Sequence, residues 1–184
     1  KSPQKKAPKI DPSRLACELS VNVLTQGFWP SYKQVDLSLC AELDVAKSIF
    51  ENFYCMRTAN RKLRWVHTLG SVVVQGSFNQ GASLEMTMST FQACILMLFN
   101  QQQEYTTADI ASATKLPMEE LKKYLQTLAL SKYTVLNKTP KSKEIADTDV
   151  LAFNNKFTDR QRKIKMLLVT KVFCVGAHEC MNVV

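Results

Sequence analysis

The chain has 184 residues, 46% hydrophobic and 22% charged, a balance that excludes a disordered chain and admits one or two globular domains with real cores. Its formal net charge of +8 and pI near 9.2 favour an acidic partner, whether nucleic acid, an anionic membrane or an acidic protein surface. Six cysteines (Cys17, Cys40, Cys55, Cys94, Cys174 and Cys180) without a CxxC pair, and only two histidines, His67 and His178, speak against a structural zinc site and for reduced thiols in a protein of the nucleus and cytoplasm.

Residues 1–18 read as a flexible lead-in, because Lys1 to Arg14 hold three prolines and five basic residues with little to bury. From Leu19 to Thr25, Leu19, Val21 and Val23 alternate with Ser20 and Asn22, the period of a half-buried strand that Gly27 and Pro30 close. Between Ala41 and Met56, Leu43, Ala46, Phe50, Phe53 and Tyr54 recur at helical spacing. Three period-two runs follow, "KLRWVH", "SVVVQGSF" and "SLEMTMS", with Gly70 and "NQGAS" as turn residues. The expectation is an α+β fold: a small antiparallel meander wrapped by the preceding helix, making a first module over residues 19–88.

The rhythm then changes. Phe91, Cys94, Ile95 and Leu98 lie at i, i+3, i+4 and i+7, and Leu96, Met97 and Phe99 widen the arc until the helix must be central. Thr106 followed by Asp109 makes a capping-box-like start for a short helix. Pro117 opens a third helix with Leu121, Tyr124, Leu125, Leu128 and Ala129 on one face. The strands "YTVLN" and "VLAFN", joined by the lysine-bearing loop 138–149, complete a winged-helix domain over residues 89–166. The segment from Asn154 then carries Arg160, Arg162, Lys163 and Lys165 before turning apolar at Met166.

Catalysis needs a nucleophile, a base and an orienting group, or a glycine loop for phosphates, and the five glycines form neither GxGxxG nor GxxxxGK. His67 continues the face of Leu63 and Trp65 with no carboxylate or thiol at a catalytic spacing, so no catalytic residue, metal site or cofactor is expected. A winged helix invites DNA, but the third helix starts with Met118, Glu119 and Glu120, whose carboxylates would repel phosphates where the start of that helix usually docks. Lys122, Lys123 and the wing lysines Lys138, Lys141 and Lys143 soften that objection. A DNA-binding winged-helix protein therefore stays as the alternative.

Five stretches carry a family likeness: "NVLTQGFWPSY" (Asn22–Tyr32), "FYCMRTANRKLRWVHTLGS" (Phe53–Ser71), "STFQACILMLFN" (Ser89–Asn100), "LQTLALSKYTVLNKTPKSKEI" (Leu125–Ile145) and "FNNKFTDRQRKIKM" (Phe153–Met166). In this order they resemble the cullins, specifically the C-terminal half of a plant-type cullin-1-like member, over about Leu19 to Met166. The resemblance implies a non-catalytic scaffold of a multi-subunit RING ubiquitin ligase in ubiquitin-dependent protein catabolism. It also implies that the small sheet accepts a strand from the arm of a small zinc-binding RING protein, which brings the charged E2 enzyme; a cullin-exchange factor is a further candidate partner. Strand addition places the partner on Leu19, Val21, Val23 and Leu24 or on Val72 and Val74, with Trp29 as a packing anchor. "FTDRQRKIKM" resembles the family's exit from its first winged helix, its charges a solvated linker face.

The tail, residues 167–184, departs from the family pattern. The second winged helix with its modified lysine, and the N-terminal repeats that bind substrate adaptors, have no counterpart, so a truncated product without adaptor binding is expected. The tail also carries Lys171, His178, Glu179 and Asn182, too polar for a span of about 20 apolar residues. No membrane partner is expected. Left without a domain to cover it, the tail would either stay exposed or dock as a short helix or strand on the first module.

Overall fold

The computed structural model describes residues 17–25, 27–29, 32, 34–58, 61–78, 83–166 and 181–183. In chain order these form β1 (Val21–Val23), α1 (Ala41–Arg57), β2 (Trp65–Val66), a 3-10 turn (His67–Leu69), β3 (Ser71–Ser77) and β4 (Ser83–Ser89). There follow α2 (Thr90–Leu98), β5 (Glu104–Thr106), α3 (Thr107–Thr114), α4 (Met118–Ala129), β6 (Leu136–Thr139), β7 (Val150–Phe153), β8 (Lys163–Lys165) and β9 (Met181–Val183). The fold is α+β, as the alternation of periods implies.

Helix α2 lies at the centre because it has almost no polar face: every residue from Thr90 to Leu96 is buried. It begins where β4 ends. Ser89 is its N-cap, and a reciprocal capping box with Gln92 satisfies donors at the helix start. Gln92 reaches further, donating from Nε2 to Thr127 Oγ1 of α4 at 2.6 Å, while Phe91 stacks on Tyr124 with ring centroids 5.1 Å apart. The cap of α3 is the expected Thr106–Asp109 box: aspartate is long enough to return to the Thr106 amide, at 3.3 Å. Pro117 serves α4 as N-cap rather than first helical residue, and Leu121, Leu125 and Leu128 are fully buried.

Among the described residues the strands form three sheets of three. In one, β3 and β4 pair antiparallel from Ser71↔Ser89 to Ser77↔Ser83, and β8 adds in parallel to β4. The basic stretch after Asn154 is thus more than a linker. Ile164 is buried while Lys163 and Lys165 face solvent, Lys163 Nζ lying 2.8 Å from Glu85. The second sheet has the order β5-β7-β6, all antiparallel; β5 is a third strand beyond the expected ribbon of two. The third has the order β1-β9-β2.

That third sheet corrects the expected meander. "KLRWVH" is a strand only at Trp65–Val66, and the 3-10 turn diverts the chain before β3. Gly70 N donates to His67 O at 3.2 Å and Thr90 N to Gly70 O at 3.3 Å, anchoring the turn to the start of α2. Consequently β2 pairs with β9, not with β3.

The main core crosses residue 88. It joins Phe78, Leu84, Met86 and Met88 to Phe91, Ile95, Leu125, Leu151, Ile164 and Met166. A smaller cluster centres on Leu43, Trp65 and Cys94, with Leu19, Val21, Phe50 and Val72 packed against it. The two halves therefore share their interior.

Candidate strand-docking site

The site begins with the alternation of β1. Leu19 and Val21 turn inward onto the smaller cluster, and Ser20 and Asn22 turn out. Opposite them, Trp65 is held from two sides: its Nε1 donates to Glu51 Oε1 at 2.6 Å, and its ring meets Phe50 edge-on at 5.9 Å. Helix α1 therefore fixes β2. The alternation breaks at Val23, which is 45% exposed, and Phe28 and Trp29 beyond it are 88% and 48% exposed. Phe28 N donates to Thr25 O at 3.0 Å, closing the turn that presents the two rings. Trp29 is thus on the surface rather than in the core, and Leu24 is half-buried.

β1 and β2 do not bond to each other. Both pair with β9, which runs parallel to β1 (Val21↔Met181, Asn22↔Asn182, Val23↔Val183) and antiparallel to β2 (Trp65↔Val183, Val66↔Asn182). Sequence reasoning named β1 and held a docked tail strand as one of two alternatives for residues 167–184, but three residues are too few for a periodic signal to place that strand at Met181–Val183. Residues 167–180 and 184 of the tail lie outside the described residues.

Val72 and Val74 lie in β3, at the edge of a different sheet. Their side chains turn inward and pack on the main core. A groove of about 470 Å³ runs beside them, bordered by Cys17, Leu43, Gln75, Met97 and Phe153. The structure brings Leu19, Val21 and Val72 together on one cluster, but not into one sheet. Val23 and Trp29 sit outside that cluster.

The lysines weighed for DNA are largely engaged. Lys138 is buried, its Nζ 2.7 Å from Asp149 Oδ2, and it also donates to Pro140 O at 2.9 Å and Ser142 Oγ at 2.6 Å. Lys122 pairs with Asp147 at 2.8 Å and Lys123 with Glu120 at 3.5 Å. Lys141 and Lys143 are left exposed. His67 begins the 3-10 turn, and burial, with Lys47 nearby, pushes its pKa below the ordinary value. Among the described residues no three His, Cys, Asp or Glu side chains gather into a metal-holding group, and no helix is long and apolar enough to cross a membrane. Cys17, Cys40, Cys55 and Cys94 are free thiols.

Comparison with known proteins agrees with these elements. The sequence model of the family described as "Cullin alpha+beta domain" matches residues 23–157, from the end of β1 to just past β7. The chain is 38% identical to Cullin-1 of Oryza sativa subsp. japonica over 150 residues, 82% of this chain and 20% of that protein. It is 37% identical to Cullin-2 of Arabidopsis thaliana over 155 residues, 84% of this chain and 21% of that protein. Against Cullin-4A of Homo sapiens the identity is 37% over 149 residues, 81% of this chain and 20% of that protein. The chain spans about a fifth of the length of these curated relatives. With a family match running through α1, α2, α3, α4 and the strands between them, the chain belongs to the cullin family.

Proposed function

We propose that this chain is a piece of a cullin scaffold of a RING-type ubiquitin ligase, and that its sheet of β1 and β2 receives an extended strand from the small zinc-binding RING subunit. The observation that carries this reading is the spacing of β1 and β2 about a position one strand wide, bonded on both sides when filled. Main-chain pairing on two sides supplies affinity without demanding a particular side chain, and apolar surface beside it adds specificity. Val23, Phe28 and Trp29 are that surface. In this reading the chain is non-catalytic: it holds the partner, and residues 89–166 act as a winged-helix buttress behind the sheet. The engagement of Lys122, Lys123 and Lys138 in ion pairs favours this role over DNA binding, since paired ammonium groups are less available for phosphate.

Co-expression with a small RING subunit tests the proposal. The wild-type chain should retain the subunit on a sizing column, and Val23→Pro, which removes a backbone donor from β1, should release it with far-UV circular dichroism unchanged. Retention by a folded Val23→Pro variant would overturn the assignment of β1.

A further inference from the structure

The position between β1 and β2 is occupied in this chain by its own segment, Met181–Val183. Nothing else among the described residues joins those two strands: β1 and β2 belong to one sheet only through β9. Such an arrangement differs from a tail lying on a surface. An added outer strand would satisfy one row of backbone groups, whereas an inserted strand satisfies two, and it cannot share its position with another strand. Occupancy is exclusive by geometry.

From this we propose that β9 is a built-in competitor, a strand donated in cis that must leave before an extended strand from a partner chain can enter. The proposal rests on the reading that this sheet receives a partner's strand, and it adds regulation to that site. It also specifies the entrant. A strand that reproduces the pairing of β9 runs parallel to β1 and antiparallel to β2, with three residues in register with Val21, Asn22 and Val23 and two of them with Trp65 and Val66. Phe28 and Trp29 lie beyond the end of β1, and the Val23 side chain stays exposed even where its backbone pairs with β9, so a longer partner arm can touch these side chains first and then displace β9 residue by residue.

Displacement has a measurable consequence. A position filled by its own strand nine-tenths of the time weakens apparent partner affinity about tenfold, because only the open fraction binds. Asn182 is the middle residue of β9, in register with Asn22 on one side and Val66 on the other. Asn182→Pro removes its backbone donor from the ladder.

Two measurements on the full chain separate this idea from the reading beneath it. Backbone amide hydrogen exchange needs no partner: amides of Val21–Val23 and Trp65–Val66 should be protected in the wild type and lose protection in Asn182→Pro, while those of α2 and α4 keep theirs. A synthetic peptide of residues 177–184 should restore protection in the variant. Equal exchange in both proteins would overturn self-occupancy, whatever the partner does. Titration with a peptide of the RING subunit's N-terminal arm should then give about tenfold tighter binding to Asn182→Pro than to wild type. Unchanged affinity would overturn competition, whereas exchange as expected with no binding to either protein would overturn the partner reading and leave the cis strand standing. A wild-type dimer that Asn182→Pro converts to monomer would show that β9 is supplied by a second copy, and would overturn donation in cis.

Discussion

Lys138 belongs to a lysine-bearing stretch that the sequence marks as a solvated loop, yet it lies on β6, and its side chain and that of Asp149 are only 2% and 3% exposed. Three acceptors surround the ammonium, and the carboxylate also accepts the Ala146 amide at 2.8 Å. The pair thereby closes the 140–149 connection between β6 and β7, and Asp149 O holds α3 by accepting from Thr107 N at 2.9 Å. A buried pair is fragile to losing one partner, because the other is left charged and dry. Lys138→Met should destabilise the protein more than the double variant Lys138→Met, Asp149→Leu, a comparison that urea midpoints would make. The hydrogen bond from Lys138, then that from Ala146, holds the Asp149 carboxyl below its usual pKa. Its folded-state pKa is thus depressed, so its stabilisation is complete above the unfolded value of about 4 and is lost as pH falls through the folded value. Acid unfolding should therefore lose part of its pH dependence in the double variant. Cys40 offers a second test at this scale. The Cys94 thiol donates to it, the Leu43 amide assists against burial, and its pKa falls to about 7, while the same hydrogen bond and burial push Cys94 up. Alkylation of Cys40 by iodoacetamide should rise with pH around neutrality, and Cys94→Ala should move that midpoint upward. A midpoint that stays put would remove Cys94 as the cause.

At the scale of elements, Gln92 shows how one side chain serves two. It completes the cap of α2 and ties α2 to α4 through Thr127. Gln92→Ala should lower stability by about 1–3 kcal/mol, the range for losing a buried hydrogen-bond partner, read as a lower urea midpoint at unchanged slope. Such helices were legible in the sequence because long repeats leave a signal. Leu121, Leu125 and Leu128 recur at helical spacing, and Thr106 with Asp109 marks a start. The pair β3 and β4 was legible for the same reason, seven residues each with alternating burial. Strands β5, β8 and β9 have three residues each, less than a period-two pattern needs, so only tertiary pairing defines them. The candidate site was half legible on those terms. Alternation placed Leu19 and Val21 on a strand and Val72 and Val74 on another. It could not reveal that β1 and β2 are joined by a segment from the far end of the chain, nor that Val23 turns outward where the alternation breaks.

For the whole molecule the question is whether the two halves fold as one. No linker separates them: β4 ends at Ser89 and α2 begins at Thr90. Phe78, from the first half, stacks on Phe153 at 5.5 Å and meets Phe157 edge-on at 5.5 Å, and it is buried in the main core. Val72 bridges the two clusters, packing against both. Cooperative unfolding follows from a shared interior, since neither half can open without exposing the other's apolar surface. Phe78→Ala should cost about 3–5 kcal/mol, and at this size each kcal/mol lowers Tm by roughly 2–4 °C. The decisive readout is coincidence rather than size. In a Trp29→Phe background tryptophan fluorescence reports on Trp65 in the smaller cluster, and far-UV circular dichroism reports on helices, most of them packed on the main core. Both melts should shift together to one lower Tm in Phe78→Ala. If the dichroism melt falls while the fluorescence melt stays, the smaller cluster with β1 and β2 is an independent unit, and a strand could enter or leave its sheet without reaching the helices behind it.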